Sequence, residues 1–152
     1  MPNAIDLLKK DHDKVRKLLK QLTDSSNRAE VKRSQLLSEI QNELEIHTLL
    51  EEEIFYPEFR KADPKAHAEL YYESLEEHRI VEEMVLPDVE GSDTGSEEFA
   101  GRAKVLREPI EHHAEDEEEE MFPKAREVFS DEQLEELGER MAARKKELMQ
   151  EA

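Results

Sequence analysis

The strongest constraint on this chain is a phrase that it writes twice. HTLLEEEIFYP occupies residues 47–57 and HAEDEEEEMFP occupies residues 113–123. Each opens on a histidine, places a glutamate four residues later (Glu51, Glu117) and closes on an aromatic and a proline. The same shift of 66 residues (113 − 47) carries His12 onto His78, Val15 onto Val81, Tyr56 onto Phe122 and Pro57 onto Pro123. The chain therefore reads as two helical hairpins in one register, and a repeat of this kind is looked for before any motif is judged.

Apolar spacing supplies the helices. Ile5, Leu8, Val15, Leu19 and Leu22 fall on one face of a first helix behind an Asn3 cap, and TDSSN at 23–27 breaks it. A second helix runs from about Arg28 to Ala62 on Leu36, Ile40, Leu44 and Ile54, with Pro57 expected to interrupt or kink it. Asp63–Pro64 reads as a cap with proline at the first helical position. It opens a third helix to about Val89, whose last turn Pro87 should fray. EGSDTGS at 90–96 is a loop. The fourth helix starts near Glu97 and carries Phe99, Ala103, Leu106, Ile110 and Met121, with a bend expected at Pro109. Ser130 and Gln133 form a capping box for a fifth, shorter helix on Leu134, Leu137, Met141 and Leu148. No strand pattern appears. The expected fold is all-α, an up-down-up-down four-helix bundle with a short C-terminal fifth helix, in one domain over residues 1–152.

Charge narrows the function classes. The 40 acidic and 22 basic residues give a net charge of −18, which repels nucleic acid and anionic membranes alike. Most of that acid must be solvated helix exterior. There is no cysteine, hence no disulfide, thiolate ligand or thiol nucleophile. The first residues lack the pattern of a secretory leader and no stretch is apolar enough to span a membrane, so the expected location is the cytosol.

Six histidines are present, and four follow the repeat on the apolar faces. His12 continues the row of Ile5 and Leu8. His47 follows Ile40 and Leu44, His78 lies between Leu75 and Val81, and His113 follows Leu106 and Ile110. Residues four apart stack on one helix face, so Glu51 and Glu117 point inward beside His47 and His113. Unpaired carboxylates in a small core cost several kcal/mol or lose their charge. Metal cations offset that cost, and imidazole with carboxylate suits iron, manganese or zinc. One His-x-x-x-Glu pair is a weak signal, whereas four histidines and two glutamates in a repeated register make a metal site the favoured reading over a polar network without metal.

Other polar residues carry less. His67 has no mate in the repeat and is expected on the surface. His112 is expected to face solvent or a neighbouring helix. The run Asp116–Glu120, apart from Glu117, reads as solvated face. Arg140, Arg144, Lys145 and Lys146 are assigned to the helix dipole and the acidic surface.

The segments LLKKDHDKV, HTLLEEEIFYP, EEHRIVEEM, HHAEDEEEEMFP and SDEQLEELGERM resemble hemerythrin-like proteins of the HHE cation-binding family over nearly the whole chain. The resemblance implies a non-haem centre of two iron ions joined by an oxo or hydroxo bridge. In it Glu51 and Glu117 bridge, and His12, His47, His78 and His113 are terminal ligands. It also implies a small ligand: dioxygen, nitric oxide or peroxide. The oxygen-carrying members have a fifth histidine where this chain has Ser74. Glu82, Glu43, Tyr56, Tyr71, Tyr72 or water are the candidates to replace it. A carboxylate or phenolate there favours the ferric state, which shifts the expectation from oxygen carriage towards redox or scavenging chemistry. The competing readings are a metal-dependent sensor that docks a separate partner, iron storage, and a structural zinc site.

Overall fold

The computed structural model describes residues 3–151. It is an all-helical bundle with no strand among the described residues. Helix α1 is Ala4–Asp24. Helix α2 covers 30–62, α3 covers 68–90 and α4 covers 97–128, each built of two α-helical stretches joined by a wider turn. Helix α5 is Asp131–Glu151. None is long and apolar enough to cross a membrane.

Start signals are where the residue types place them. The Asn3 side chain accepts from the Asp6 amide at 2.9 Å, and Ser96 caps α4 through the Phe99 amide. The Ser130–Gln133 box closes reciprocally, at 2.8 and 3.1 Å. One start and one length differ from expectation. Asp63 caps only a turn, through the Ala66 amide, and α3 begins at Ala68. Helix α5 is not short: at 21 residues it equals α1 and packs along it.

The prolines do not break their helices. Helix α3 runs through Pro87 to Glu90, and α4 runs through Pro109. Before Pro57, Pro87 and Pro123 the chain forms π turns, at Glu51–Phe55, Val81–Val85 and Glu117–Met121. Proline has no N–H to give and its ring crowds the carbonyl four residues back. Widening the turn relieves that crowding and keeps the helix continuous. Gln21 of α1 stands one repeat before Pro87, and α1 has no such turn. Two of the three π turns begin at Glu51 and Glu117.

The apolar core is split in two. One cluster holds Leu8, Leu50, Phe55, Phe59, Phe122 and Met141 among others. The other holds Val15, Leu19, Ile40, Val89, Phe99 and Leu106. On α1 the switch between clusters falls at His12, on α2 at His47–Glu51, on α3 at His78 and on α4 at His113–Glu117. A polar layer thus crosses the bundle at one height. Beyond it, the buried Arg33 ties two loops, donating to the Ser25 Oγ and carbonyl, Asn27 Oδ1 and the Thr94 carbonyl.

Candidate metal centre

The fold gathers all six inward residues. His12, His47, Glu51 and Glu117 place ligand atoms within 4.8 Å of one another, as do Glu51, His78 and His113. Each histidine pair comes from one hairpin, and Glu51 belongs to both groups. Glu51 is fully buried and Glu117 is 1 % exposed.

The rings share one orientation. His12 Nδ1 lies 3.0 Å from Glu118, His47 Nδ1 3.1 Å from Asp11 and His113 Nδ1 2.9 Å from Glu77. An ionised carboxylate only accepts, so each Nδ1 donates, and in the neutral ring Nε2 keeps a bare lone pair. Those Nε2 atoms face oxygens: His12 to Glu117 at 3.2 Å, His47 to Glu51 at 3.2 Å, His78 to Glu51 at 3.1 Å and His113 to Glu117 at 3.1 Å. His78 Nε2 and His113 Nε2 approach each other to 3.0 Å. Lone pairs aimed at one another repel unless positive charge lies between them. His47 Nε2 and Glu51 Oε2 are buried without a hydrogen-bond partner.

The electrostatics carry the same demand for positive charge. Burial disfavours a charged imidazole, yet the Glu51 and Asp11 carboxylates push His47 up to about 10. His113 is raised well above the ordinary range against its burial, first by Glu117. Burial alone would raise Glu51, but the His47 imidazole beside it holds it well below the usual carboxylate range. Metal cations meet that demand with the nitrogen and oxygen donors present, so the donor set fits a pair of them.

Tyr56 completes the layer. Its buried hydroxyl donates to Glu117 Oε2 at 3.1 Å and lies 3.1 and 3.3 Å from His113 Nε2 and His78 Nε2. Burial and the Glu117 and Glu51 carboxylates raise the phenol well above its usual value, so it holds its proton here. Of the residues weighed to replace a fifth histidine, Tyr56 is the one in the layer. Glu43 pairs with Lys14 at 2.6 Å, Tyr72 is exposed, Glu82 stands outside at the rim and Tyr71 packs edge-on behind Tyr56. Ser74 is buried one turn from His78.

Two expectations change. His67 is buried rather than on the surface: it stacks on Phe59 with ring centroids 3.8 Å apart and donates from Nδ1 to the Phe59 carbonyl. Glu118 is not solvated face, because it holds His12. His112 is exposed, 3.1 Å from Asp116. Asp11, Glu77 and Glu118 were not legible as single residues. Their signal lay in the repeat, which superposes Asp11 on Glu77 and Glu52 on Glu118. Lys145, which pairs with Asp11 at 2.7 Å from α5, had no such signal.

Residues 3–125 match the hemerythrin HHE cation-binding domain. The chain belongs to the hemerythrin HHE cation-binding family. It is 32% identical over 153 residues to an uncharacterized protein of Mycobacterium tuberculosis, covering 96% of this chain and 87% of that one. It is 28% identical over 149 residues to a DNA nickase of a Nostoc species, where it covers 97% of its own length and spans only 40% of the nickase. The crystal structure of a hemerythrin HHE cation-binding domain-containing protein from Mycobacterium kansasii superposes with a TM-score of 0.84 at 30% identity, over 97% of this chain and 88% of that one. Lys145 lies beyond the matched family domain.

Proposed function

We propose that this HHE-family chain is a non-haem di-iron protein that binds or reacts with dioxygen, nitric oxide or peroxide. The carrying observation is the common inward aim of four imidazoles whose outer nitrogens donate to carboxylates or, for His78, face one. His12, His47, Glu51, His78, His113 and Glu117 would hold the metals, with Glu51 common to both ligand groups. Two iron ions supply a one-electron redox couple and Lewis acidity to a small oxidant.

The protein's own groups set the conditions. Asp11, Glu77 and Glu118 fix the tautomer and aim of three rings. Tyr56 keeps a hydroxyl proton 3.1 Å from Glu117 Oε2, inside the ligand layer beside His78 and His113. The Phe55–Phe59–Phe122 side is closed by aromatic packing. Access comes from the opposite side, where a cavity of about 560 Å³ is lined by His12, His47, His78 and His113. The finer fold belongs to the same proposal: one domain, an up-down-up-down bundle with α5 laid along it, working in the cytosol. The acidic surface offers a phosphate backbone no foothold, so DNA chemistry is not part of it.

The test is to load the purified chain with iron and mix it with dioxygen, nitric oxide and hydrogen peroxide in turn. A change in the visible spectrum with at least one is expected. Silence with all three contradicts the proposal. One contact favours a second reading, in which the metal state is signalled outward: Lys145 ties α5 to Asp11, and Asp11 to His47. Metal removal then loosens α5, and equal protease sensitivity of α5 with and without metal contradicts it.

A further inference from the structure

The cavity is much larger than the ligands just named. A diatomic or a peroxide displaces about as much as one or two waters, roughly 30 Å³ each. The cavity of about 560 Å³ lies in the range of small-molecule sites, about 300–1,000 Å³. Its walls also have the composition of such a site. The surface is mostly apolar, with Val15, Leu44, Val81, Leu86 and Ile110 among its walls, and the four histidines stand in it as well. It opens between α2 and α3, whose middles face each other across it.

Charge at the mouth restricts the occupant. Glu45, Glu52, Glu82 and Glu90 line it. Arg16 is the one lining cation, and it is taken by Glu118 at 2.8 Å. An anionic molecule has to pass four carboxylates, with no lysine or arginine among the lining residues left to pair it. An uncharged apolar one meets walls that gain from losing water, at about 25 cal/mol per Å² of apolar surface buried.

We propose that this cavity binds an uncharged, mainly apolar organic molecule, with one end at the His12, His47, His78 and His113 layer. This deepens the di-iron reading, because that layer is where the small oxidant arrives. An organic hydroperoxide has the shape for both parts, a peroxide head at the layer and an apolar body in the cavity. The bound molecule also shields the open side of the layer from water, as aromatic packing does on the other side.

The experiment uses the iron-loaded full chain and N-phenyl-1-naphthylamine, an uncharged fluorescent probe. Saturable binding of one probe per chain is expected, with the anionic probe 1-anilinonaphthalene-8-sulfonate at least about tenfold weaker. Leu44→Phe and Val81→Phe each fill the cavity from a different helix. Both should weaken the uncharged probe at least about tenfold while circular dichroism and iron content stay as in the parent chain. If one variant fails to fold, the other carries the comparison. No saturable binding overturns the proposal, as does equal binding of the anionic probe or binding untouched by a folded filling variant. The two readings fail separately. Probe binding with no response to dioxygen, nitric oxide or hydrogen peroxide removes the redox reading alone. A response to those without probe binding removes the organic ligand alone.

Discussion

The two hairpins build two sides of one layer, and the sides are not equal. On the first side His12 donates to Glu118, and Glu118 is gripped by Arg16 at 2.8 Å. His47 donates to Asp11, and Asp11 is gripped by Lys145 at 2.7 Å. The 66-residue shift carries each onto the second side. His113 donates to Glu77, but no lysine or arginine reaches Glu77 among the described ion pairs. The mate of Arg16 is Glu82, which places like charge beside Glu52. Burial and the Glu52 carboxylate raise Glu82 accordingly. Glu52 then stays 3.8 Å from His78 Nδ1, which is buried without a hydrogen bond. The aromatic mates differ too: Phe122 stacks on His12 at 5.9 Å, while Tyr56 stacks on His78 at 5.4 Å and brings a hydroxyl. A repeated ligand set can thus hold two metals unequally, because the residues one layer out are not repeated.

The largest effect is expected where the sides meet. Glu51 belongs to both ligand groups, so Glu51→Ala should take iron from about two per chain to nearly none. Elemental analysis checks this, and a loss of only one iron would mean the glutamate serves one side. Next comes the first side's support. Lys145→Met leaves all six ligands in place, yet it frees Asp11 and should weaken one of the two irons by about tenfold in chelator competition. Lys145→Arg should restore most of it. The second side should respond in the opposite sense. Glu82→Arg imitates Arg16, lets Glu52 close on His78, and should tighten the weaker iron by about threefold, within the worth of an exposed ion pair. The smallest effect is on the metal-free chain. His47 is raised from 6.5 to about 10 in the fold. A raised group contributes stability that is full below its unfolded value and lost as pH climbs through its folded value. Melting temperature without metal should therefore fall between about pH 6.5 and 10, and the metal-loaded chain should show a flatter profile over that window.

Much of this was legible before any coordinates, and the reason is periodicity. Helix faces and inward ligands repeat every turn, so Ile5–Leu8–His12 and Ile40–Leu44–His47 announce themselves locally. Capping at Asn3 and Ser130 is equally local. What failed was of two kinds. Proline was expected to interrupt, kink or fray its helix because its missing N–H is a local loss, and the wider turn that keeps the helix continuous before Pro57, Pro87 and Pro123 leaves no mark of its own in the residue pattern. His67 lacked a mate in the repeat, and its burial depends on Phe59 arriving from another helix. Lys145 shows the limit most clearly: it is one of four basic residues on a charged helix, and only the packing of α5 on α1 selects it for Asp11.

Stepwise removal of iron from the loaded parent chain tests the inequality most directly. Iron per chain is measured against rising concentrations of a competing chelator. Two plateaus are expected, at about two and about one iron, with the first step absent in His78→Ala because the weaker position is already empty. A single step from two to none would show that the two sides hold metal equally, and a folded parent chain with no iron at all would contradict the metal centre itself.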